Sequence, residues 1–230
     1  ALIAAARGHK LDALVYGSSS AVYGDRSGLW VPEDFPPSPH TDYGKSKVAA
    51  ENLLLAAWKE AGLPVRIARI AAVYGPGINF MARDRLEAGK GWLPGEGKNL
   101  IPLVHIRDCV LALIAIARAG RDGEIYHLAG KSTPLLKEFY DAVAAQISVG
   151  PMRFWSTWIP SAFQYRGAAL NEAICTRIGR KPRFTSDNLK LYTASVRLRT
   201  ERLEKELGFT WSFPDHAAGV VDACGSPAKA

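Results

Sequence analysis

Residues 43–77 read YGKSKVAAENLLLAAWKEAGLPVRIARIAAVYGPG, and the fold is decided here. Apolar residues at 48, 49, 53, 54, 57 and 58 recur with a helical period, so a helix is expected from Tyr43 to Ala61. Gly62-Leu63-Pro64 stops it. Val65 to Val73 is apolar and β-branched, the signature of a buried strand, and Tyr74-Gly75-Pro76-Gly77 closes it. Upstream, Leu11 to Tyr16 (LDALVY) reads as another buried strand running into Gly17-Ser18-Ser19-Ser20. Between the two lies a long surface loop, Asp25 to Thr41, with prolines at 32, 36, 37 and 39. Downstream follow an extended segment (Leu100–Ile106), a helix capped by Asp108 with its apolar run from Val110 to Ala117, a strand (Glu124–Leu128) and a helix (Leu135–Ile147). Strands alternating with helices imply a parallel, layered α/β sheet.

The chain has 230 residues, 48% hydrophobic and 22% charged, which is ordinary globular usage and excludes disordered, collagen-like and coiled-coil chains. It has no run of apolar residues long enough for a membrane helix. Ala1 to Lys10 lacks the basic start of a signal peptide, so no signal peptide is expected. Cys109, Cys175 and Cys224 stand at unrelated spacings; they fit a reducing cytoplasm and give no metal-site pattern. The formal charge is +7, and residues 153–205 alone carry 11 Lys/Arg against 4 Asp/Glu. That stretch is either a solvated helical face or a surface for an anionic ligand or partner. No nucleic-acid motif accompanies it, so nucleic acid is not expected as a partner.

After Pro151 the character of the sequence changes. Trp155, Trp158 and Phe163 cluster, and helical stretches hold most of the charge. We therefore expect an α/β core over residues 1–150 and a smaller, mostly helical lobe over 151–230, ending in an irregular tail after Trp211. Trp155 and Trp158 fit the core of that lobe better than a pocket wall. Trp92, in a loop, suits packing and substrate contact equally.

The chemistry concentrates between residues 17 and 51. Tyr43 and Lys47 are one helical turn apart on one face. An ammonium beside a phenol favours the phenolate, and such a tyrosine can exchange a proton with a hydroxyl or carbonyl. Ser18-Ser19-Ser20 falls at the carboxyl end of a strand, where open α/β sheets bind ligands. A serine there could hydrogen-bond the same oxygen that Tyr43 protonates.

SSSAVYG (18–24), YGKSKVAAE (43–51), RIAAVYGPG (69–77), VHIRDCVLAL (104–113) and EIYHLAG (124–130) occur in the order found in the extended short-chain dehydrogenases/reductases, the NAD-dependent epimerase/dehydratase family, which the chain resembles. Residues 179–209 resemble, more weakly, the end of the steroid-dehydrogenase-like and dihydroflavonol-reductase-like members. The resemblance implies a Rossmann-like parallel sheet with helices and a smaller helical lobe. It implies NAD or NADP as cofactor, and hydride transfer at a hydroxyl or carbonyl carbon of a small-molecule substrate. Ser19 (with Ser20 as the neighbouring alternative) and Tyr43 would be catalytic. Lys47 would orient the nicotinamide ribose, so Tyr43 and Lys47 are also the cofactor-binding candidates. Arg69, His105 and Asp108 match common family positions and are expected to be architectural. Ala72 stands where Asn is frequent before Val-Tyr-Gly. The family's strand, G-x-x-G-x-x-G turn and helix for the pyrophosphate have no counterpart here; residue 1 aligns just before the family's fifth strand, with roughly a hundred residues of the dinucleotide half outside the chain. On that basis NAD(P) binding by this chain alone is not expected, and no cofactor at all is the alternative.

Two other readings stay open. Gly17-Ser18-Ser19-Ser20-Ala21 approximates the G-x-S-x-G nucleophile elbow, so a Ser-Tyr-Lys set could serve a cofactor-independent esterase. A remnant of the fold could instead act as an interaction module, its exposed sheet covered by a second copy or another partner.

Overall fold

The computed structural model describes residues 2–78, 93, 95–148, 159–182 and 185–225. In chain order the elements are α1 (Leu2–Arg7), β1 (Leu14–Ser19), a 3-10 turn (Ser20–Tyr23), β2 (Trp30–Val31), α2 (Asp42–Ala61), β3 (Val65–Ile70), β4 (Ala72–Tyr74) and β5 (Leu103–His105). Then come α3 (Ile106–Ala119), β6 (Ile125–Leu128), α4 (Leu136–Gln146), α5 (Ser161–Arg177), α6 (Ser186–Thr193), β7 (Arg197–Leu198), α7 (Glu201–Leu207) and α8 (His216–Cys224).

The central sheet is parallel, in the order β1-β3-β6. Leu14 faces Val65 and Ser19 faces Ile70; Ile67 faces Ile125 and Ile70 faces Leu128. Parallel strands are buried on both faces by helices, and β3 accordingly has buried residues from Val65 to Arg69. Leu54 and Ala57 of α2 cover one face with Val65 and Ile67. Cys109, Ala112 and Ile116 of α3 cover the other, against Ala68, Tyr126 and Leu128.

Where one strand was expected from Val65 to Val73, two occur. The Ala71 N–H still bonds to Leu128 O on β6, but the Ala72 N–H bonds to Pro102 O, and β4 goes on to pair with β5. The sheet forks between these two alanines. The first strand also lies later than expected: Leu14 to Ser19 rather than Leu11 to Tyr16, because pairing begins where the Leu14 N–H reaches Pro64 O.

Helix α2 is cut at both ends by local chemistry. Thr41 Oγ1 accepts from the Gly44 N–H at 3.0 Å, and Gly62 at φ 63° returns its N–H to Ala57 O and Trp58 O. The cap of α3 differs from expectation. His105 Nδ1 accepts from the Arg107 N–H, whereas both oxygens of the fully buried Asp108 accept from backbone N–H groups of Ser212 (3.0 Å) and Phe213 (2.8 Å). Arg66 Nη1 donates to Ile116 O and Ala117 O, both at 2.7 Å, and so satisfies the last turn of α3.

The described segment after Trp211, up to Gly225, is not irregular. It forms α8, with Val220 packed against Tyr74, Leu103 and Phe139, and Gly219 so close to the Tyr74 ring that a Cβ would collide with its hydroxyl. Val196, Leu198, Leu203 and Trp211 join the same core cluster as Ala68 and Tyr126, and β7 pairs with β2. Phe163 is 61% exposed. Trp92, Trp155 and Trp158 lie outside the described residues. Among the described residues no helix is long and apolar enough to cross a membrane, and no group of three or more His, Cys, Asp or Glu could hold a metal ion.

Candidate active site

The fork at Ala71–Ala72 opens a cavity of about 280 Å³ at the carboxyl end of β1. Ser19, Ser20, His40 and Tyr43 supply polar atoms to its lining, and Ala71, Ala72, Ile101 and Val196 supply apolar wall. The end of β1, the start of α2 and the segment after α6 therefore converge on one space.

The three serines have different duties. Ser18 is buried, and its Oγ donates to Glu51 Oε1 at 2.5 Å. Ser19 Oγ accepts from the Ala21 N–H at 3.2 Å, capping the 3-10 turn, and among the described residues its own O–H has no acceptor, so it can donate to a ligand in the cavity that Ser19 lines. The Ser20 side chain has no hydrogen-bond partner among the described residues.

Tyr43 stands in the first turn of α2, 44% exposed, and among the described residues its hydroxyl has no hydrogen-bond partner. The approach of α2 to the serine turn depends on Gly44, where a Cβ would meet Ala21 O at 2.5 Å and Pro39 Cβ at 2.9 Å. Lys47 lies one turn along, but its Nζ donates to Gly17 O at 2.8 Å, 5.7 Å from the Tyr43 ring centre and 5.1 Å from that of Tyr16. It is not a lining residue of the cavity. The expected trio is thus brought to one end of the sheet, with Ser19 and Tyr43 sharing the cavity and Lys47 bonded to the strand beside it.

This donor set fits the nicotinamide–ribose end of a dinucleotide. Lys47 keeps two ammonium N–H bonds beyond the one given to Gly17, and the Tyr43 hydroxyl is open to a ribose or substrate oxygen.

A buried polar network, unassigned by sequence reasoning, lies beneath. Arg69 and Glu51, 3% and 2% exposed, form a bidentate pair: Nε–Oε1 3.0 Å and Nη2–Oε2 2.7 Å. Arg69 Nη1 also donates to Tyr23 Oη at 2.6 Å, and the Tyr23 hydroxyl lies 2.6 Å from His127 Nε2. His127 Nδ1 lies 2.8 Å from Arg199 O. A ring N–H on Nδ1 satisfies that carbonyl and leaves Nε2 to accept from Tyr23. Burial raises the Tyr23 pKa to about 12 and lowers that of His127 to about 3, so both stay neutral. Burial also raises the Glu33 carboxyl, one of whose oxygens is buried without a hydrogen-bond partner among the described residues. Architectural Arg69 matches expectation. The network's other members are scattered through the sequence, and only the acidic end of the 43–51 motif hinted at Glu51. His105 is almost fully buried; its Nε2 lies 3.2 Å from Asp222 Oδ2 but outside hydrogen-bond geometry, between the Tyr74 and Phe213 rings.

A parallel α/β sheet carrying a serine turn and a Tyr-x-x-x-Lys helix at its carboxyl edge defines a protein of the extended short-chain dehydrogenase/reductase class. The family model described as NAD dependent epimerase/dehydratase family matches residues 1–129, and the chain belongs to that family. Protein YeeZ of Escherichia coli (strain K12) is 30% identical over 153 residues, covering 66% of this chain and 53% of that protein. The dTDP-glucose 4,6-dehydratase of Streptomyces antibioticus is 32% identical over 136 residues, covering 56% and 40%. The chain thus spans about half the length of the curated relatives it matches. Among solved structures, UDP-glucuronic acid 4-epimerase from Bacillus cereus, in complex with UDP-glucuronic acid and NAD, superposes with a TM-score of 0.69 at 20% identity, covering 97% of this chain and 63% of that one. The dTDP-glucose 4,6-dehydratase from Bacillus anthracis, in complex with NAD, gives 0.66 at 22%, covering 92% and 60%. At these identities the likeness is one of fold.

Proposed function

We propose that this chain carries the proton-transfer and substrate-side machinery of an NAD(P)-dependent oxidoreductase or epimerase acting on a hydroxyl or carbonyl carbon of a small molecule or sugar-like substrate. The observation that carries the reading is the shared cavity: Ser19 and Tyr43 both line it, and the Tyr43 hydroxyl has no partner among the described residues. A substrate oxygen there receives a hydrogen bond from Ser19 and exchanges a proton with Tyr43 Oη. Lys47, fixed on Gly17 O, holds positive charge near the Tyr43 ring and offers its remaining N–H bonds to a ribose hydroxyl. When bound, the nicotinamide supplies or accepts the hydride. Residues 151–230 contribute the substrate side in this reading, with Leu191 and Tyr192 on the cavity wall, while Val196, Leu198, Leu203 and Trp211 also complete the core of residues 1–150.

The esterase reading would use Tyr43 and Lys47 to activate the serine. Lys47 donates to Gly17 O and does not line the cavity, so Tyr43 is the remaining member of that set beside Ser19, and the two readings are separated by assay. Because NAD(P) binding by residues 1–230 alone is not expected, the test is to assay the protein supplied with a dinucleotide-binding half of the family, and its Ser19→Ala and Tyr43→Phe variants, with NAD(P)H and a panel of carbonyl compounds, and with p-nitrophenyl acetate. Nucleotide-dependent turnover lost in both variants supports the proposal. Ester hydrolysis lost in both, without nucleotide-dependent turnover, replaces it with the hydrolase.

A further inference from the structure

His40 falls three residues before Tyr43, in the proline-rich loop, and its ring is fixed from two sides. The Asp25 N–H donates to Nδ1 at 3.2 Å. Gly24, at φ 66°, lies so near that a Cβ there would be 2.5 Å from Nδ1 and 2.6 Å from Ser38 O. Only glycine combines that backbone conformation with that approach. The neutral ring then carries its proton on Nε2, which among the described residues has no hydrogen-bond partner. The ring lines the cavity of Ser19 and Tyr43, and also an adjoining groove bounded by Asp25, Tyr165, Lys190 and Thr193. The wall it shares includes Ala71, Ala72 and Ile101, which offer a ligand no side-chain hydrogen bond.

We infer that His40 is a specificity-determining residue: its Nε2–H donates to a second oxygen of the substrate while Ser19 and Tyr43 hold the reacting one. The preferred substrate is then a hydroxy-carbonyl or diol rather than a simple ketone or alcohol. This rests on the oxidoreductase reading above. A donor held in place discriminates, because a substrate with the second oxygen gains a hydrogen bond that one without it does not make.

The protein, supplied with a dinucleotide-binding half as in the test above, is assayed with NADH and NADPH against 2-hydroxycyclohexanone and cyclohexanone, and trans-1,2-cyclohexanediol is titrated while the histidine ring ¹⁵N–¹H resonances are followed. The wild type should favour the hydroxyketone by about tenfold or more in kcat/KM. His40→Phe keeps a ring but no donor and should bring that ratio near one; His40→Gln, with an amide N–H, should recover part of it. The diol should shift the His40 Nε2–H resonance. An equal preference ratio in wild type and His40→Phe, or turnover with a His40 resonance that the diol leaves unmoved, overturns the inference alone. A His40 shift with diol binding lost in His40→Phe, but no turnover of either ketone, overturns the oxidoreductase reading and leaves the His40 contact standing. Neither shift nor turnover overturns both.

Discussion

Replacing Arg69 with methionine should be far more damaging than its distance from the cavity suggests. The change removes both hydrogen bonds to Glu51 (3.0 and 2.7 Å) and the one to Tyr23 Oη (2.6 Å). It leaves the Glu51 carboxylate, 2% exposed, with the Ser18 hydroxyl as its remaining partner. Breaking a buried pair by removing one partner costs about 3–5 kcal/mol, since the survivor is an uncompensated buried charge. At roughly 2–4 °C per kcal/mol for a chain of this size, Tm should fall by roughly 6–20 °C. The double change Arg69→Met with Glu51→Leu removes both charges and should recover most of the loss, short of about 1 kcal/mol for the Ser18 hydroxyl left without its acceptor; the Tyr23 hydroxyl loses the Arg69 donor but keeps His127. Urea denaturation followed by tryptophan fluorescence, with thermal melts alongside, measures both variants. A loss below about 1 kcal/mol in Arg69→Met, or a double variant no more stable than the single one, would refute the reasoning, because either result means the buried charge is not what destabilises.

Other outcomes follow from the same geometry. Gly44→Ala exchanges a poor helix former for the best one, worth about 1 kcal/mol in an open helix; here the clash with Ala21 O should reverse the sign to a loss of about 1–3 kcal/mol, read by chemical denaturation, with a drop in turnover as Tyr43 leaves Ser19. Burial holds the native His127 pKa at about 3, well below its unfolded value of about 6.5, so the unfolded chain binds the extra proton in between. Its contribution is fully present above about pH 6.5 and is lost as pH falls toward 3, by up to about 1.4 kcal/mol per pH unit. Denaturation at pH 7.5 and pH 5 should show a flatter pH dependence in His127→Gln than in wild type; equal slopes would count against a buried neutral histidine. Ser19→Ala should lower kcat about 10²–10³-fold by removing a donor to the reacting oxygen, measured in single-turnover nucleotide oxidation.

Much of this was legible in the sequence because short-range chemistry fixes it. The period of residues 48 to 58, Thr41 and Gly62 define α2, and the order of the motifs brings Ser19 and Tyr43 to one end of the sheet. What escaped depends on partners distant in the chain. Val65 to Val73 reads as one apolar run, and nothing local reveals that Ala71 bonds to Leu128 while Ala72 turns to Pro102, although that fork makes the cavity. Asp108 has the position and type of a cap, yet its carboxylate is used by backbone groups a hundred residues later, at Ser212 and Phe213. Lys47 has the spacing for Tyr43, but the Gly17 carbonyl decides where its ammonium sits. His40 looks like any polar residue in a proline-rich loop until Gly24 and Asp25 are seen to hold its ring.

The most direct test of the account is the rate of hydride transfer in Tyr43→Phe. The variant keeps the ring and the start of α2 and removes only the hydroxyl of a residue that lines the cavity. In the protein supplied with a dinucleotide-binding half, single-turnover oxidation of NADH or NADPH by a carbonyl substrate should slow by about 10²–10⁴, with nucleotide binding and thermal stability close to wild type. A rate within about twofold of wild type would contradict the claim that Tyr43 exchanges the proton, since a positioned acid is worth at least two orders of magnitude.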